Sequence, residues 1–222
     1  MPMSSINPHY TFQYSQPEEY RFSHDSVFLA RRVFELERNH INRELRVLDL
    51  CAGCGIIGLD FLFHCQKELC LTPVQCDFLE IQSVYDEHFR INQSRLQNSV
   101  TKMQFIKQNY AQTHASQYDL ILCNPPYFNP AEGQLSPNEF KNRCRFFLDA
   151  NQDELLTAIS NLLTPTGRAY VLSRKINLVE PLTLKNETIG DIRGTPLVRF
   201  TKLKTNIHTR KESNDSVMVE VE

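Results

Sequence analysis

The most chemically specific residues of the sequence form an Asn-Pro-Pro-Tyr tetrad at positions 124–127. An exocyclic or carboxamide nitrogen is a poor nucleophile because its lone pair is conjugated, and two hydrogen-bond acceptors facing its N–H groups favour the pyramidal form. The Asn124 oxygen can supply one acceptor and the Pro125 carbonyl the other, because Pro125 and Pro126 fix φ and donate no N–H. The Tyr127 ring can stack a flat substrate. The tetrad therefore predicts alkylation of an amine nitrogen, with a plain proline-rich turn as the structural alternative.

A glycine-rich turn lies upstream of the tetrad, where Gly53, Gly55 and Gly58 fit the pattern G-x-G-x-x-G. Glycines let the backbone approach a ligand closely, and Glu80, at the end of the next predicted strand, can accept both hydroxyls of a ribose. Dinucleotide enzymes and S-adenosylmethionine enzymes share this layout. Asp49, four residues before the first glycine, favours the second class, because a carboxylate suits a cationic ligand such as a sulfonium amino acid. A tight strand-to-helix turn without a ligand is the structural alternative.

Cysteines suggest a second chemistry, since Cys51 and Cys54 spell C-x-x-C. A redox dithiol would leave the neighbouring glycines unexplained, and a zinc site would need a second such pair, which the sequence lacks. We therefore expect no metal and no redox role for these thiols. Seven cysteines, several of them inside apolar segments, favour reduced thiols in the cytoplasm.

Composition narrows the function classes further. A chain of 222 residues that is 41% hydrophobic and 23% charged is neither disordered nor collagen-like. No apolar run approaches the roughly 18 residues that a membrane span needs, and the start lacks the features of a secretion signal. A net charge of −2 excludes a globally basic nucleic-acid binder but not a local basic face.

The elements that must position these residues alternate between strands and helices. We predict strands at 45–50, 74–80, 103–107, 118–123, 168–173, 196–203 and 217–221, a long loop or broken helix over 128–150, and helices beginning near residue 25, after residue 55, over 81–88 and over 155–162. Such alternation predicts a mainly parallel sheet with helices on both faces. Ligands of these sheets bind beyond the carboxyl ends of the strands, which is where the motifs fall.

Three motifs together resemble a known family: Asp49–Gly58, Glu80 and Asn124–Tyr127. They are similar to class I S-adenosylmethionine-dependent methyltransferases of the N-P-P-Y group, which includes adenine-N6 methyltransferases of DNA and RNA and glutamine-N5 methyltransferases of release factors. The resemblance implies an α/β, Rossmann-like fold, with a seven-stranded, mostly parallel sheet, an antiparallel last strand and helices on both faces. It also implies S-adenosylmethionine as the cofactor.

A narrower resemblance, to bacterial tRNA (adenine-N6)-methyltransferases, rests on Arg21–Ala30, on Phe128 after the tetrad and on the basic stretch Lys141–Arg145. It runs from about residue 20 to the end, so we expect an N-terminal extension at 1–23 and a methyltransferase domain at 24–222. The chain departs from the family after the third strand, where an amide, Asn109, replaces the usual acidic residue. We expect Asn109 to bind the adenine of the cofactor instead.

The resemblance implies three sets of site residues. The catalytic set is Asn124, Pro125, Pro126 and Tyr127; the cofactor set is Asp25, Asp49, Cys51, Gly53, Gly55, Glu80, Asn109 and Asn124; and the substrate set is Tyr127, Phe128, Lys141, Arg143 and Arg145. Further cations, Lys202, Lys204, Arg210 and Lys211, are assigned to a loop between the sixth and seventh strands. We expect this loop to open beside Asn124 and to attract a polyanion.

The favoured function is methylation of adenine N6 in tRNA by a cytoplasmic, monomeric enzyme that binds neither a metal nor a membrane. The same chemistry on a protein glutamine or on DNA adenine stays open, and so does a nicotinamide-dependent oxidoreductase on the same sheet. A non-enzymatic RNA-binding module is disfavoured by the intact tetrad at 124–127.

Overall fold

The computed structural model of the protein describes residues 14–21, 24–97, 99–113, 117–173 and 184–203. In these ranges the strands are β1 Arg46–Leu50, β2 Gln75–Glu80, β3 Lys102–Lys107, β4 Tyr118–Cys123, β5 Leu163–Leu172, β6 Leu184–Ile192 and β7 Thr195–Lys202. The α-helices are α1 His24–Glu37, α2 Ile56–Leu69, α3 Tyr85–Arg95, α4 Glu139–Arg145 and α5 Gln152–Leu162. In the part of the chain that the structure describes, every helix is too short or too polar to cross a membrane.

The strands form one sheet in the order β3-β2-β1-β4-β5-β7-β6. Strands β1 to β5 pair in parallel, whereas β7 lies antiparallel between β5 and β6. The chain builds outward from β1 through β2 to β3 and then returns to the other side of β1 with β4. This reversal leaves a crevice at the carboxyl ends of β1 and β4, the usual place for a ligand in such sheets. The predicted seven-stranded, mostly parallel sheet with an antiparallel strand is confirmed.

Both faces of the sheet are covered, because successive side chains of a strand point to opposite faces. Val47 of β1 and Leu120 of β4 belong to a buried cluster with α1, α2 and α3. Leu48 of β1 and Ile121 of β4 belong to a second cluster with α5 on the other face. This double burial explains why the central strands read as nearly continuous apolar runs, and it confirms the predicted helices on both faces.

The last strands differ from the sequence prediction. The final hairpin joins β6 to β7 through Arg193 and Gly194, whose φ values of 52° and 79° suit a two-residue turn. The predicted strand at 196–203 is therefore the antiparallel one, whereas we assigned that place to 217–221, which lies outside the described residues. Strand β6 escaped prediction because it is an edge strand whose side chains are largely polar and exposed, so its sequence lacks an apolar alternation.

Residues 14 and 15, which precede α1, are held by hydrogen bonds to α2 and α3. The Tyr14 hydroxyl donates to the buried Asp60 carboxylate of α2 at 2.7 Å. Asn92 of α3 accepts from the Ser15 backbone N–H, and its own amide donates to the carbonyls of Ser15 and Cys54 at 2.9 and 3.0 Å. The segment thus packs against α2 and α3 and is tied by Asn92 to the turn that follows β1.

Candidate active site

A cavity of about 330 Å³ opens at the carboxyl ends of β1, β2 and β4. This volume lies within the ~300–1,000 Å³ typical of small-molecule sites. Of the site residues predicted from sequence, the lining contains Asp25, Cys51, Gly53, Glu80, Asn109, Asn124, Pro125, Pro126, Tyr127, Phe128, Arg143 and Arg145. Three others, Asp49, Gly55 and Lys141, lie outside the lining. The fold therefore brings most residues of the three predicted sets around one cavity.

The glycine turn, residues 51–58, needs left-handed backbone at Cys51, Gly53 and Gly55, with φ of 61°, 54° and 80°. At Gly53 an added Cβ would meet only the Tyr85 ring, at 3.8 Å, so this glycine leaves room at the cavity wall. At Gly55 a Cβ would lie 2.7 Å from the Phe89 ring. Packing against α3 therefore requires Gly55, which we had assigned to close approach of a ligand.

Asp49 lies beneath the glycine turn and is fully buried. Its Oδ2 accepts from the Gly58 N–H at 2.8 Å, while Oδ1 has no hydrogen-bond partner among the described residues. Burial raises the pKa of this carboxyl, the Gly58 N–H opposes the rise, and the nearby charge of Glu80 adds to it. Asp49 thus ties β1 to the first turn of α2 from behind the cavity wall.

Glu80 lies at the end of β2, in the cavity wall itself. Its two oxygens accept from the backbone N–H groups of Gly53 and Gln82, each at 2.9 Å. Burial raises the pKa of the Glu80 carboxyl, and these backbone donors oppose the rise. Each carboxylate oxygen keeps a further lone pair, so Glu80 can hold the glycine turn and accept from a ligand diol together.

Asn124 directly follows β4, and other side chains fix both ends of its amide. Its Nδ2 donates to the Ser26 hydroxyl of α1 at 3.2 Å, and the Tyr127 hydroxyl donates to its Oδ1. The sequence predicts only that a helix begins near this residue and gives no sign of the contact. Ser26 and Asn124 are 98 residues apart, and local sequence carries no signal for such a pair.

The backbone joins α4 to the tetrad. The Arg145 carbonyl accepts from the N–H groups of both Tyr127 and Phe128 at 3.0 Å. The Arg145 guanidinium lies over the Phe128 and Phe146 rings, 5.6 and 5.7 Å from their centroids, a range in which cation–π attraction holds the charge in place. The predicted broken helix is thus a short helix whose end lies at the cavity.

The predicted cations of α4 are not equivalent. Arg143 forms ion pairs with Glu139 at 3.3 Å and with Asp149 at 3.5 Å. Arg145 is exposed and has no carboxylate within ion-pair distance among the described residues. Of the two arginines, Arg145 has the charge more readily available to a ligand.

The second predicted group of cations is misplaced. Lys202 is the last residue of β7 and pairs with Leu184 at the start of β6. Because β7 runs antiparallel to β5, Lys202 lies at the amino ends of the parallel strands, on the side of the sheet opposite Asn124. Lys204, Arg210 and Lys211 lie outside the described residues. The β6–β7 hairpin instead brings Arg193 to the carboxyl ends of the parallel strands. There its guanidinium donates to His24 Nδ1 at 2.9 Å and lies 3.8 Å from the Asp25 carboxylate.

Both ends of the Asn109 amide form hydrogen bonds with nearby backbone groups. Its Oδ1 accepts from the Ala111 N–H at 2.9 Å and caps the short 3-10 turn Tyr110–Gln112, while its Nδ2 donates to the Asp149 carbonyl at 2.8 Å. One amide hydrogen and one lone pair are left for a ligand. Asn109 therefore joins the loop after β3 to the loop before α5.

The buried cysteine of the C-x-x-C pair, Cys54, carries a neutral thiol. All seven cysteines are free, and burial raises the pKa of Cys54 to about 12. A thiol with that pKa is protonated at neutral pH, which disfavours a redox dithiol. Within the described ranges, no group of three His, Cys, Asp or Glu side chains is placed to hold a metal ion.

Comparison with known proteins adds a family and a fold. A family model described as methyltransferase small domain matches residues 21–140. A curated relative from Shewanella loihica, named tRNA1(Val) (adenine(37)-N6)-methyltransferase, is 35% identical over 162 residues, which cover 71% of this chain and 58% of the relative. The chain thus spans little more than half the length of that protein.

Solved structures share the fold at low identity. The Escherichia coli protein yhhF has a TM-score of 0.60 at 13% identity, covering 85% of this chain and 90% of that one. The Thermus thermophilus 16S rRNA N2 G1207 methyltransferase, in complex with AdoMet and guanosine, has a TM-score of 0.57 at 15% identity, covering 84% and 45%. The architecture is therefore the Rossmann-like methyltransferase fold.

Proposed function

Because the chain belongs to the methyltransferase small domain family, we propose that it transfers the methyl group of S-adenosylmethionine to N6 of an adenine in tRNA. The observation that carries this proposal is that Asn124, Pro125 and Pro126 lie together in the cavity wall; the two prolines have no backbone N–H, so the Pro125 carbonyl is an acceptor without a neighbouring donor. The name of the Shewanella relative supports adenine N6 and tRNA as the target. We further propose a cytoplasmic monomer, and the free thiols support the cytoplasmic location.

The cavity fits this cofactor. Glu80 would accept the two ribose hydroxyls, and the backbone at Cys51 and Gly53 would lie along the methionine end. Asp25 lines the cavity whereas Asp49 lies behind it, so we assign the cationic amino group to Asp25 and the support of the turn to Asp49. Asn109 would contact the adenine through its remaining amide hydrogen and lone pair.

The tetrad would prepare the target amine. Asn124 Oδ1 and the Pro125 carbonyl accept its two N–H groups and so release the nitrogen lone pair, and the Tyr127 ring stacks the adenine. When bound, S-adenosylmethionine supplies a methyl group on a positively charged sulfur. No strong base is required, since the amine becomes acidic only after alkylation, and most of the rate comes from proximity and orientation.

The α4 side of the cavity would meet the rest of the RNA. Arg145 holds its charge over two rings at the rim, and Phe128 extends the aromatic wall beside Tyr127. Lys141 lies on the same helix, outside the lining. These residues suit a phosphate backbone better than a protein glutamine, because a polyanion needs a local positive surface on a protein of net charge −2.

The test is methylation of an unmodified transcript of tRNA1(Val) with labelled S-adenosylmethionine, followed by mass spectrometry of the nucleosides. We expect N6-methyladenosine with the wild-type protein and none with a transcript that has guanosine in place of adenine 37. Methylation of a different adenine in the transcript would support the proposed reaction and correct only the position of the target. A release factor labelled on glutamine, with no label in RNA, would contradict the proposal.

A further inference from the structure

We propose that Ser26 is a positioning residue that fixes the Asn124 carboxamide with its oxygen toward the target amine. This inference rests on the proposed function and assigns to α1 a part in the reaction. It starts from the hydrogen bond in which Asn124 Nδ2 donates to the Ser26 hydroxyl at 3.2 Å. Both residues line the cavity.

The contact is held by a rigid element. Ser26 is buried in the first turn of α1, and Val27, Leu29 and Ala30, the apolar residues that follow it, are buried in the core. The α1 backbone therefore cannot move away from β4 without exposing apolar surface, which is unfavourable. A hydroxyl on such an element sets a fixed acceptor position for the Asn124 amide.

An asparagine at this position must be held with its oxygen, not its NH₂ group, toward the target amine. The oxygen and the NH₂ group are nearly equal in size but opposite in hydrogen bonding. If the amide were flipped, it would present N–H groups to the N–H groups of the target amine, and the interaction that frees the lone pair would be lost. In the structure the Ser26 oxygen accepts from the NH₂ end of the carboxamide, so Oδ1 is the end that is left for the target amine.

Tyr127 alone cannot do this during the reaction. Its hydroxyl donates to Asn124 Oδ1, the same atom that must accept from the target amine. As the amine arrives, the Tyr127 hydroxyl must share or leave that oxygen. Among the described residues, Ser26 is then the side chain that still holds the nitrogen end of the amide.

The variants Ser26→Ala and Ser26→Thr test this role, with Ser94→Ala as the matched control. Ser94 lies on the exposed face of α3, where its hydroxyl donates to the Ile91 carbonyl. We expect Ser26→Ala to lower kcat on the tRNA transcript about tenfold or more, while the Kd for S-adenosylmethionine changes less than about twofold. Ser26→Thr keeps the hydroxyl and should recover most of kcat, and Ser94→Ala should match wild type.

A second measurement does not depend on methyl transfer. The side-chain NH₂ signals of Asn124 can be identified by NMR, because Asn124→Asp removes them. In Ser26→Ala we expect these signals to shift and their hydrogens to exchange faster, whereas Ser26→Thr and Ser94→Ala leave them near wild type. Thermal melting of each variant separates this local change from unfolding.

Three results would overturn the inference. They are wild-type kcat in Ser26→Ala, unmoved Asn124 signals in that variant, and equal loss of kcat in Ser26→Ala and Ser26→Thr with a matching loss of thermal stability. If the wild-type protein does not methylate the transcript, the proposed function fails separately, and the Asn124 signals still decide whether Ser26 orients the amide.

Discussion

The two walls of the cavity hold their polar groups by different kinds of partner. On the side made by the glycine turn and Glu80, the carboxylates of Glu80 in the wall and of Asp49 behind it accept from backbone N–H groups, and both carboxyls are buried with raised pKa values. In the wall made by the tetrad and the end of α4, the Asn124 amide contacts side chains of α1 and of the tetrad itself. There the cationic group, Arg145, lies on aromatic rings at the surface.

This difference indicates a division of labour. Backbone donors are fixed by the fold, so the glycine-turn wall is already shaped for one small ligand and gains affinity from that order. Side-chain partners can be exchanged, and interactions made only in the transition state raise the rate rather than the affinity. Substitutions in the first wall should therefore change cofactor binding, and those in the second should change turnover or RNA binding.

The largest effect is expected at Asn124. Because its bond to the target nitrogen strengthens as that nitrogen becomes pyramidal, Asn124→Ala should lower kcat about a hundredfold or more. Calorimetry should give a cofactor Kd near wild type, since the glycine-turn wall is untouched. A single-turnover rate equal to wild type would remove the contrast between the walls.

Glu80→Ala should give the next largest effect and should act on binding. Loss of hydrogen bonds to a charged carboxylate should weaken S-adenosylmethionine binding by about 1.5–3 kcal/mol. Calorimetry with S-adenosylhomocysteine measures this directly, and Glu80→Gln, which keeps the size of the side chain, serves as the matched variant. Unchanged affinity in both variants would remove Glu80 from the cofactor site.

The two arginines of α4 sharpen the comparison on the substrate side. Arg145→Glu should raise the RNA KM by about tenfold at low salt and flatten its dependence on salt, because a phosphate contact is lost and its charge reversed. Arg143→Glu is the matched control, with a smaller effect on KM, since its charge is already paired with Glu139 and Asp149. Equal effects of the two reversals, or a KM that does not depend on salt, would count against the Arg145 contact.

The smallest effect is a pH dependence of cofactor binding. The buried Glu80 has a raised pKa, and its carboxylate form is the one that accepts two ribose hydroxyls. Lowering the pH toward that pKa protonates Glu80, so affinity should weaken by a few-fold in mild acid and stay constant at higher pH. Glu80→Gln should bind more weakly at neutral pH and lose this dependence, and a dependence that persists in this variant would assign the titration to a group other than Glu80.

The strands and helices around the cavity could be predicted because neighbouring residues encode them. Apolar β1 is followed by glycines, which permit the left-handed backbone of a turn, and apolar β4 is followed by prolines, which fix φ and donate no N–H, so each strand ends there. Strand β6 could not be found in this way, since an exposed edge strand needs no apolar alternation. With β6 missing, the antiparallel strand was placed too late in the chain and Lys202 was assigned to the wrong edge of the sheet.

By itself, the sequence determined the chemical groups of this protein and the turns that carry them. The tetrad at 124–127, the carboxylate of Glu80 and the alternation of strands and helices all rest on residues close together in the chain. Only the tertiary structure decided which partner each group has. Asn124 bonds to Ser26, Arg143 pairs with a carboxylate, Arg145 lies over aromatic rings, and Asp49 supports the glycine turn from behind. Local backbone preferences act over a few residues, whereas a side-chain partner depends on the path of the whole chain through the sheet.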